Sequence, residues 1–213
     1  MKKLLLGLSL LASGALFAET TPAMVSLVTP VQAPSCDRDV AGFRLSLIYG
    51  ECQDFAGLDL GLANRSVGDF TGLSIGGVNI ANKRLYGGQV GLVNWNSQEE
   101  VSWQGRRSIG AQVGLLNYAD SFCGLQEGFV NISGRSLVGL ESGLVNFATD
   151  VQGAQVGYYF IFGINVVSGT LRGCQIGLVN YAESVDGGVQ IGAINIISRN
   201  GWLPVLPILN GNF

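Results

Sequence analysis

Two columns of amide side chains and three scattered carboxylates are the residues of this chain whose spacing invites a chemical reading. Glutamines recur at Gln89, Gln112, Gln126, Gln155, Gln175 and Gln190. Asparagines recur at Asn64, Asn79, Asn94, Asn117, Asn131, Asn146, Asn180, Asn195 and Asn210. An amide donates and accepts hydrogen bonds but neither carries a proton nor attacks a carbon at neutral pH, so such rows bind ligands, form ladders or line a polar lumen. The ladder or lining is the expectation here. Asp59 and Glu141 take the place of glutamine in its column and bring charge to that polar face. They lie in different units, and nothing pairs them for acid–base catalysis. Glu127 stands where other units have Val90, Val113 and Ile176, on the apolar side, where a carboxylate is costly. It marks either a local register change or a subunit contact.

The remaining chemistry is thin. The chain has no histidine, which removes the commonest general base and metal ligand. Cys36, Cys52, Cys123 and Cys174 include no C-x-x-C pair; disulfides are permitted after export, with their pairing open. The glycines form neither a dinucleotide-binding G-x-G-x-x-G between strand and helix nor a P-loop G-K-[ST]. Asn64-Arg-Ser66 and Asn131-Ile-Ser133 fit the glycosylation sequon but fall on the repeat and are read as structural. The insertion from Asn96 to Ser108 is the candidate partner-binding loop. Its Trp103 with Glu99, Glu100, Arg106 and Arg107 offers an aromatic anchor and charges of both signs, against the plainer reading of a solvated loop. No enzyme and no cofactor are expected.

The elements that position these residues are strands of a repeat. The clearest units run Gly57-Leu-Asp-Leu-Gly-Leu-Ala-Asn64, Gly87-Gly-Gln-Val-Gly-Leu-Val-Asn94, Gly110-Ala-Gln-Val-Gly-Leu-Leu-Asn117 and Gly173-Cys-Gln-Ile-Gly-Leu-Val-Asn180. The consensus is G-x-Q-φ-G-φ-φ-N, with φ apolar, and the basic step is 15 residues. Degenerate members at Thr29, Tyr49 and Phe160 bring the number of units to about twelve. Apolar residues alternate with Gly and Gln at period two, which is a strand signal. In the unit from Gly110 one face carries Ala111, Val113, Leu115, Leu116 and Tyr118, and the other Gly110, Gln112, Gly114, Asn117 and Ala119. The adjacent Leu115 and Leu116 require a bulge.

Alternation alone is compatible with two all-β architectures of opposite polarity. In an up-and-down outer-membrane barrel the apolar face meets lipid and the amides line the interior. In a parallel β-solenoid the apolar face is expected to be the core, with Gln and Asn stacked from coil to coil. Steps along the Asn column are 20, 15, 15, 15, 23, 14, 15, 14, 20, 15 and 15, so every long step is odd-numbered, as the outer loops of a barrel would be. The even count and the closing Phe213 point the same way. Pro22, Pro30, Pro34, Pro204 and Pro207 are confined to the first and last units, which suits the edges of an open sheet or solenoid instead. The barrel is the main expectation and the solenoid the alternative.

Residues 1–18 read as a signal peptide, with Lys2 and Lys3 before an apolar stretch from Leu4 to Phe17, leaving 19–213 as a single all-β repeat domain. Charged residues are 13% of the chain, about half the usual share, and Gly numbers 32. That poverty of charge favours a membrane or assembly context. After cleavage 10 basic residues face 15 acidic ones, which argues against nucleic acid as a partner.

The G-x-Q-φ-G-φ-φ-N units, with the closing Trp202-Leu-Pro-Val-Leu-Pro-Ile-Leu-Asn210 and Phe213, resemble the bacterial surface-repeat proteins first noticed in Leptospira-like genomes. The resemblance covers nearly all of 19–213. It implies location in the cell envelope of a Gram-negative-type bacterium and brings no catalytic residues. The combined expectation is an exported, non-enzymatic outer-membrane or surface protein with a structural, adhesive or narrow-pore role, in contact with outer-membrane lipid. A ligand or protein partner at the surface is left open. The alternative is a secreted or surface-attached solenoid scaffold.

Overall fold

In the computed structural model, which describes residues 20–98, 107–158 and 162–212, the chain is all-β. The strands are β1 (Thr20–Val28), β2 (Val31–Ala33), β3 (Asp39–Cys52), β4 (Phe55–Ser66) and β5 (Phe70–Ala81), then β6 (Leu85–Asn96), β7 (Ser108–Gly157), β8 (Ile164–Ile176), β9 (Val179–Ile197) and β10 (Val205–Asn212). They form one sheet in the order β10-β9-β8-β7-β6-β5-β4-β3-β1-β2. Pairing is parallel from β1 and β3 through β9, and Gly57, Gly72 and Gly87 lie side by side in register, as do Asn64, Asn79 and Asn94. A residue therefore pairs with its equivalent one repeat later, which makes the molecule a parallel β-solenoid whose basic coil is 15 residues. This corrects the barrel expectation. A barrel's meander needs antiparallel neighbours, and among the described residues antiparallel strand pairs occur only at the two ends, β1 with β2 and β9 with β10. Those end strands carry or adjoin Pro30, Pro34, Pro204 and Pro207, so the sheet edges are closed by strands poor in donors, as the confinement of proline foretold.

Glycine makes the coil close. The first Gly of each unit has φ between 129° and 149° at Gly57, Gly72, Gly87, Gly110, Gly124, Gly139, Gly153 and Gly173. A Cβ there would overlap the carbonyl oxygen of the equivalent glycine one coil earlier, so both the backbone conformation and the close approach exclude a side chain.

The polarity of the solenoid is the reverse of that expected. In the coil from Phe55, the side chains of Phe55, Asp59, Asn64 and Ser66 are buried, while Leu58 and Leu62 are exposed. The division of faces read from Gly110 to Ala119 holds, with Gln112, Asn117 and Ala119 at zero exposure and Val113 and Leu115 outside. The amide face, however, is the core. Two apolar columns flank it inside: Phe55, Phe70, Leu85, Phe122, Leu137 and Leu171 in one, and Ala81, Ala119, Ala148, Val167 and Ala182 in the other. Phe55 and Phe70 stack at 5.3 Å between ring centroids. A coil of 15 residues encloses only about four inward side chains, too few for two layers of large aliphatics. Flat amides that hydrogen-bond along the axis fill the remaining width.

Three unit assignments also change. Asn146 aligns with Asn165, which aligns with Asn180, so Asn165 rather than Phe160 belongs to the column; Phe160 lies outside the described residues. The extra residues are inserted after Gly157, where Tyr158 and Phe162 form an antiparallel bridge. Asn64 aligns with Gly50 rather than Tyr49. Because β10 runs antiparallel, Asn210 faces Gln190 and leaves the Asn ladder. The long steps therefore do not share one side, and their parity carries no barrel signal.

Candidate functional site

The amide columns form two hydrogen-bonded ladders that run in opposite directions. Each Asn donates toward the next coil. Asn79 Nδ2 to Asn94 Oδ1 is 2.9 Å, and the chain continues through Asn117, Asn131, Asn146, Asn165, Asn180 and Asn195 at 2.7–2.8 Å. The second amide hydrogen goes to a backbone carbonyl of the next coil, such as Val90, Val113, Glu127 or Ile191. Glutamines donate toward the preceding coil: Gln112 to Gln89, Gln126 to Gln112, Gln175 to Gln155 and Gln190 to Gln175, all at 2.7–2.8 Å. Their second hydrogen reaches a carbonyl six residues on, as from Gln175 to Tyr181. Satisfaction on this scale makes a polar core tolerable, since each bond contributes about 1 kcal/mol net while an unmade one costs more.

The ends of the ladders confirm their direction. Asn64 Oδ1 and Gln190 Oε1 are buried without a partner: Gly50 stands where an amide would precede Asn64, and Asn210, opposite Gln190, donates to the Leu203 carbonyl instead. The rows expected as ladder or lining are thus ladder, and their exposure of 1% or less leaves no room for a ligand along them.

Charge enters the glutamine column twice. Asp59 binds Arg44 with both oxygens, at 2.7 Å from Nε and 2.6 Å from Nη2, and both side chains are essentially unexposed. Arg44 also donates to the Arg65 carbonyl and lies over the Phe55 ring. Nothing in the sequence reading singled out Arg44, although it stands 15 residues before Asp59 and so in the same column. Glu141 sits between the two glutamine runs and has no cation. Gln155 Nε2 donates to Oε2 at 2.7 Å, and Ser133 Oγ lies 2.7 Å from Oε1 and 3.1 Å from Gln126 Oε1. Burial pushes its carboxyl up to about 8, against the hydrogen bonds from Ser133 and Gln155 that lower it. Geometry agrees: one serine proton cannot serve two acceptors. A protonated Glu141 donating to Ser133, which donates to Gln126, completes an unbroken run from Gln190 to Gln89.

The carboxylate of Glu127 is not explained by a register change. Asn117 donates to its carbonyl as Asn79 does to that of Val90, so Glu127 keeps its place in the outward apolar column. Of the candidate loop, Glu99, Glu100, Trp103 and Arg106 lie outside the described residues. Arg107 is exposed and lines a shallow cavity with Ser136, Asp150, Gln152 and Arg172, but Arg172 already pairs with Asp186 at 2.8 Å. The four cysteines are free, and Cys52 is buried. Among the described residues no cluster of metal-ligating side chains occurs.

The outer surface is what the fold offers for contact. Leu62, Leu92, Leu115, Phe129, Leu144 and Leu178 form one row at 42–60% exposure, flanked by Leu58, Leu73, Ile75, Val90, Val113 and Ile191. The class of protein so defined is a parallel β-solenoid with an amide-ladder core and an apolar exterior. No protein-family model, curated protein or solved structure matches the chain.

Proposed function

We propose that the chain is a non-enzymatic scaffold of the bacterial cell envelope, exported through residues 1–18, whose working part is the apolar outer surface of the solenoid. The observation that carries this is the inversion of the coil. Amides occupy the interior, and the large aliphatic side chains that would ordinarily form a core stand outside in continuous rows. Monomeric soluble proteins rarely leave a contiguous apolar patch beyond about 300–600 Å². The rigid, hydrogen-bonded core presents those rows in fixed register, which suits binding or assembly better than turnover.

Fractionation of cells expressing the full chain tests this reading. The wild type is expected in the envelope fraction with its N-terminus near Glu19. A Leu92→Asn, Leu115→Asn variant should be released into the soluble fraction while retaining its β-sheet circular dichroism. Recovery of the wild type in the cytoplasm with residues 1–18 intact would refute export. Identical fractionation of both forms would refute the role of the apolar surface.

A further inference from the structure

We infer that the occupant of the apolar surface is lipid hydrocarbon, with the solenoid lying along a membrane surface and one corner sunk into it. This rests on the reading above that the apolar exterior is the working surface, and it names what that surface meets.

The shape of the belt selects the occupant. Leu62 and Ala63 both point outward between the inward Gly61 and Asn64, which a straight strand cannot do, so the chain turns a corner there. Leu47, Leu62, Leu92, Leu115 and Phe129, each at 50–60% exposure, follow that corner from coil to coil. The belt therefore wraps a convex edge. At about 4.8 Å per coil and about 3.3 Å per residue it is some 45 Å long and 25 Å around, on the order of 1,100 Å². A second rigid copy could cover one side of such an edge, whereas a fluid phase covers both. Tyr158 and Phe162 form their bridge at the same corner, where Phe162 is 57% exposed.

Charge and aromatic placement give the orientation. Among the described residues, Arg44, Asp59 and Glu141 are in the core and Glu127 is in the belt. The other charged side chains, such as Asp54, Asp69, Arg84, Asp120, Asp150 and Arg199, follow the opposite loop edge or the columns beside it. That edge runs the whole length of the rod, so the axis must lie in the plane of the membrane; a spanning orientation would drag charge through hydrocarbon. Trp95, Tyr118, Phe147 and Tyr181 occupy the column between belt and charged edge, and Tyr86, with Arg84 over its ring at 5.7 Å, borders the other side. Trp95 and Tyr118 stack at 4.0 Å, and the Tyr118 hydroxyl donates to Asp120 at 2.8 Å. Trp95, Tyr118 and Tyr181 on one margin and Tyr86 on the other combine an apolar ring with a polar tip, the side chains that favour the headgroup boundary.

The test is co-flotation of the purified full chain with vesicles of zwitterionic phosphatidylcholine, in low salt and in 1 M NaCl. Insertion depth is read from quenching of Trp95 by brominated lipid in a Trp103→Phe, Trp202→Phe background. Flotation should persist at high salt, with Trp95 quenched. Leu92→Asn with Leu115→Asn should lower the partition coefficient at least tenfold, and Glu127→Val should raise it several-fold, with unchanged circular dichroism. Loss of flotation in 1 M NaCl would overturn the inference, because the contact would then be with headgroups. Absence of flotation together with a dimer that the two Asn substitutions disperse would overturn lipid as occupant and leave the apolar surface as the working one. A monomer that does not float would overturn both.

Discussion

Replacing Glu141 with glutamine should stabilise the protein at neutral pH, because it supplies the neutral side chain that the fold requires there. In the unfolded chain this carboxyl titrates near its ordinary 4.5, and burial raises it to about 8 in the fold. Below pH 4.5 both states hold the proton, and its contribution to stability is fully present. Between 4.5 and 8 the unfolded chain releases the proton while the folded one keeps it, so stability falls as pH rises and is lost through about 8. At 1.36 kcal/mol per pH unit the full span is about 5 kcal/mol, of which about 3 has gone by pH 7. Glutamine carries a permanent donor where protonated Glu141 carries its hydroxyl, and it can still accept from Gln155, so the ladder stays intact without that penalty. Denaturant unfolding of wild type and Glu141→Gln from pH 4.5 to 8.5 measures the difference. The two stabilities should diverge by about 1.4 kcal/mol per unit above pH 5 and reach about 3 kcal/mol at pH 7. Parallel curves across that range would show that Glu141 is ionised in the fold and that the uninterrupted ladder is wrong.

Two further outcomes follow from the ladder and its neighbours. Ser46 occupies the second-glycine column opposite Gly61, and Gly50 occupies the Asn column opposite Asn64, whose Oδ1 is unpartnered. Gly50→Asn alone should destabilise, since its Cβ would overlap Ser46 Oγ, whereas Ser46→Gly with Gly50→Asn should extend the ladder by one rung and add roughly 1–2 kcal/mol in equilibrium unfolding. Cys52, with Arg44 Nη1 3.0 Å from its sulfur, has its thiol pushed up to about 11, chiefly by burial. At pH 8, labelling with a thiol reagent followed by mass spectrometry should modify the partly exposed Cys36 and Cys123 in the native protein and reach Cys52 only in denaturant.

Much of the fold was legible one strand at a time. The period of 15, the two faces of each unit and the ladder role of Gln112 or Asn117 all follow from alternation, because successive side chains on a strand point to opposite sides whatever the strand pairs with. Asn165 is equally legible, since a step of 15 back from Asn180 reaches it, whereas a step of 20 reaches Phe160. Arg44 is less legible. A single arginine in a column of amides looks like surface charge until Asp59 is placed beside it in the next coil.

What the sequence by itself determined is therefore a repeating strand with an amide face and an apolar face, together with the glycines that only a sharply turned, closely stacked backbone needs. Strand direction and the choice of inner face were decided by tertiary structure. Alternation is symmetric between inside and outside, and strand spacing is the same for parallel and antiparallel neighbours. The tie is broken when the coil closes. Parallel stacking at a period of 15 puts identical amides directly over one another, where each can donate once to its neighbour and once to a backbone carbonyl at the corner. No meander offers that arrangement, and it lets the amides take the interior while the leucines and valines remain outside.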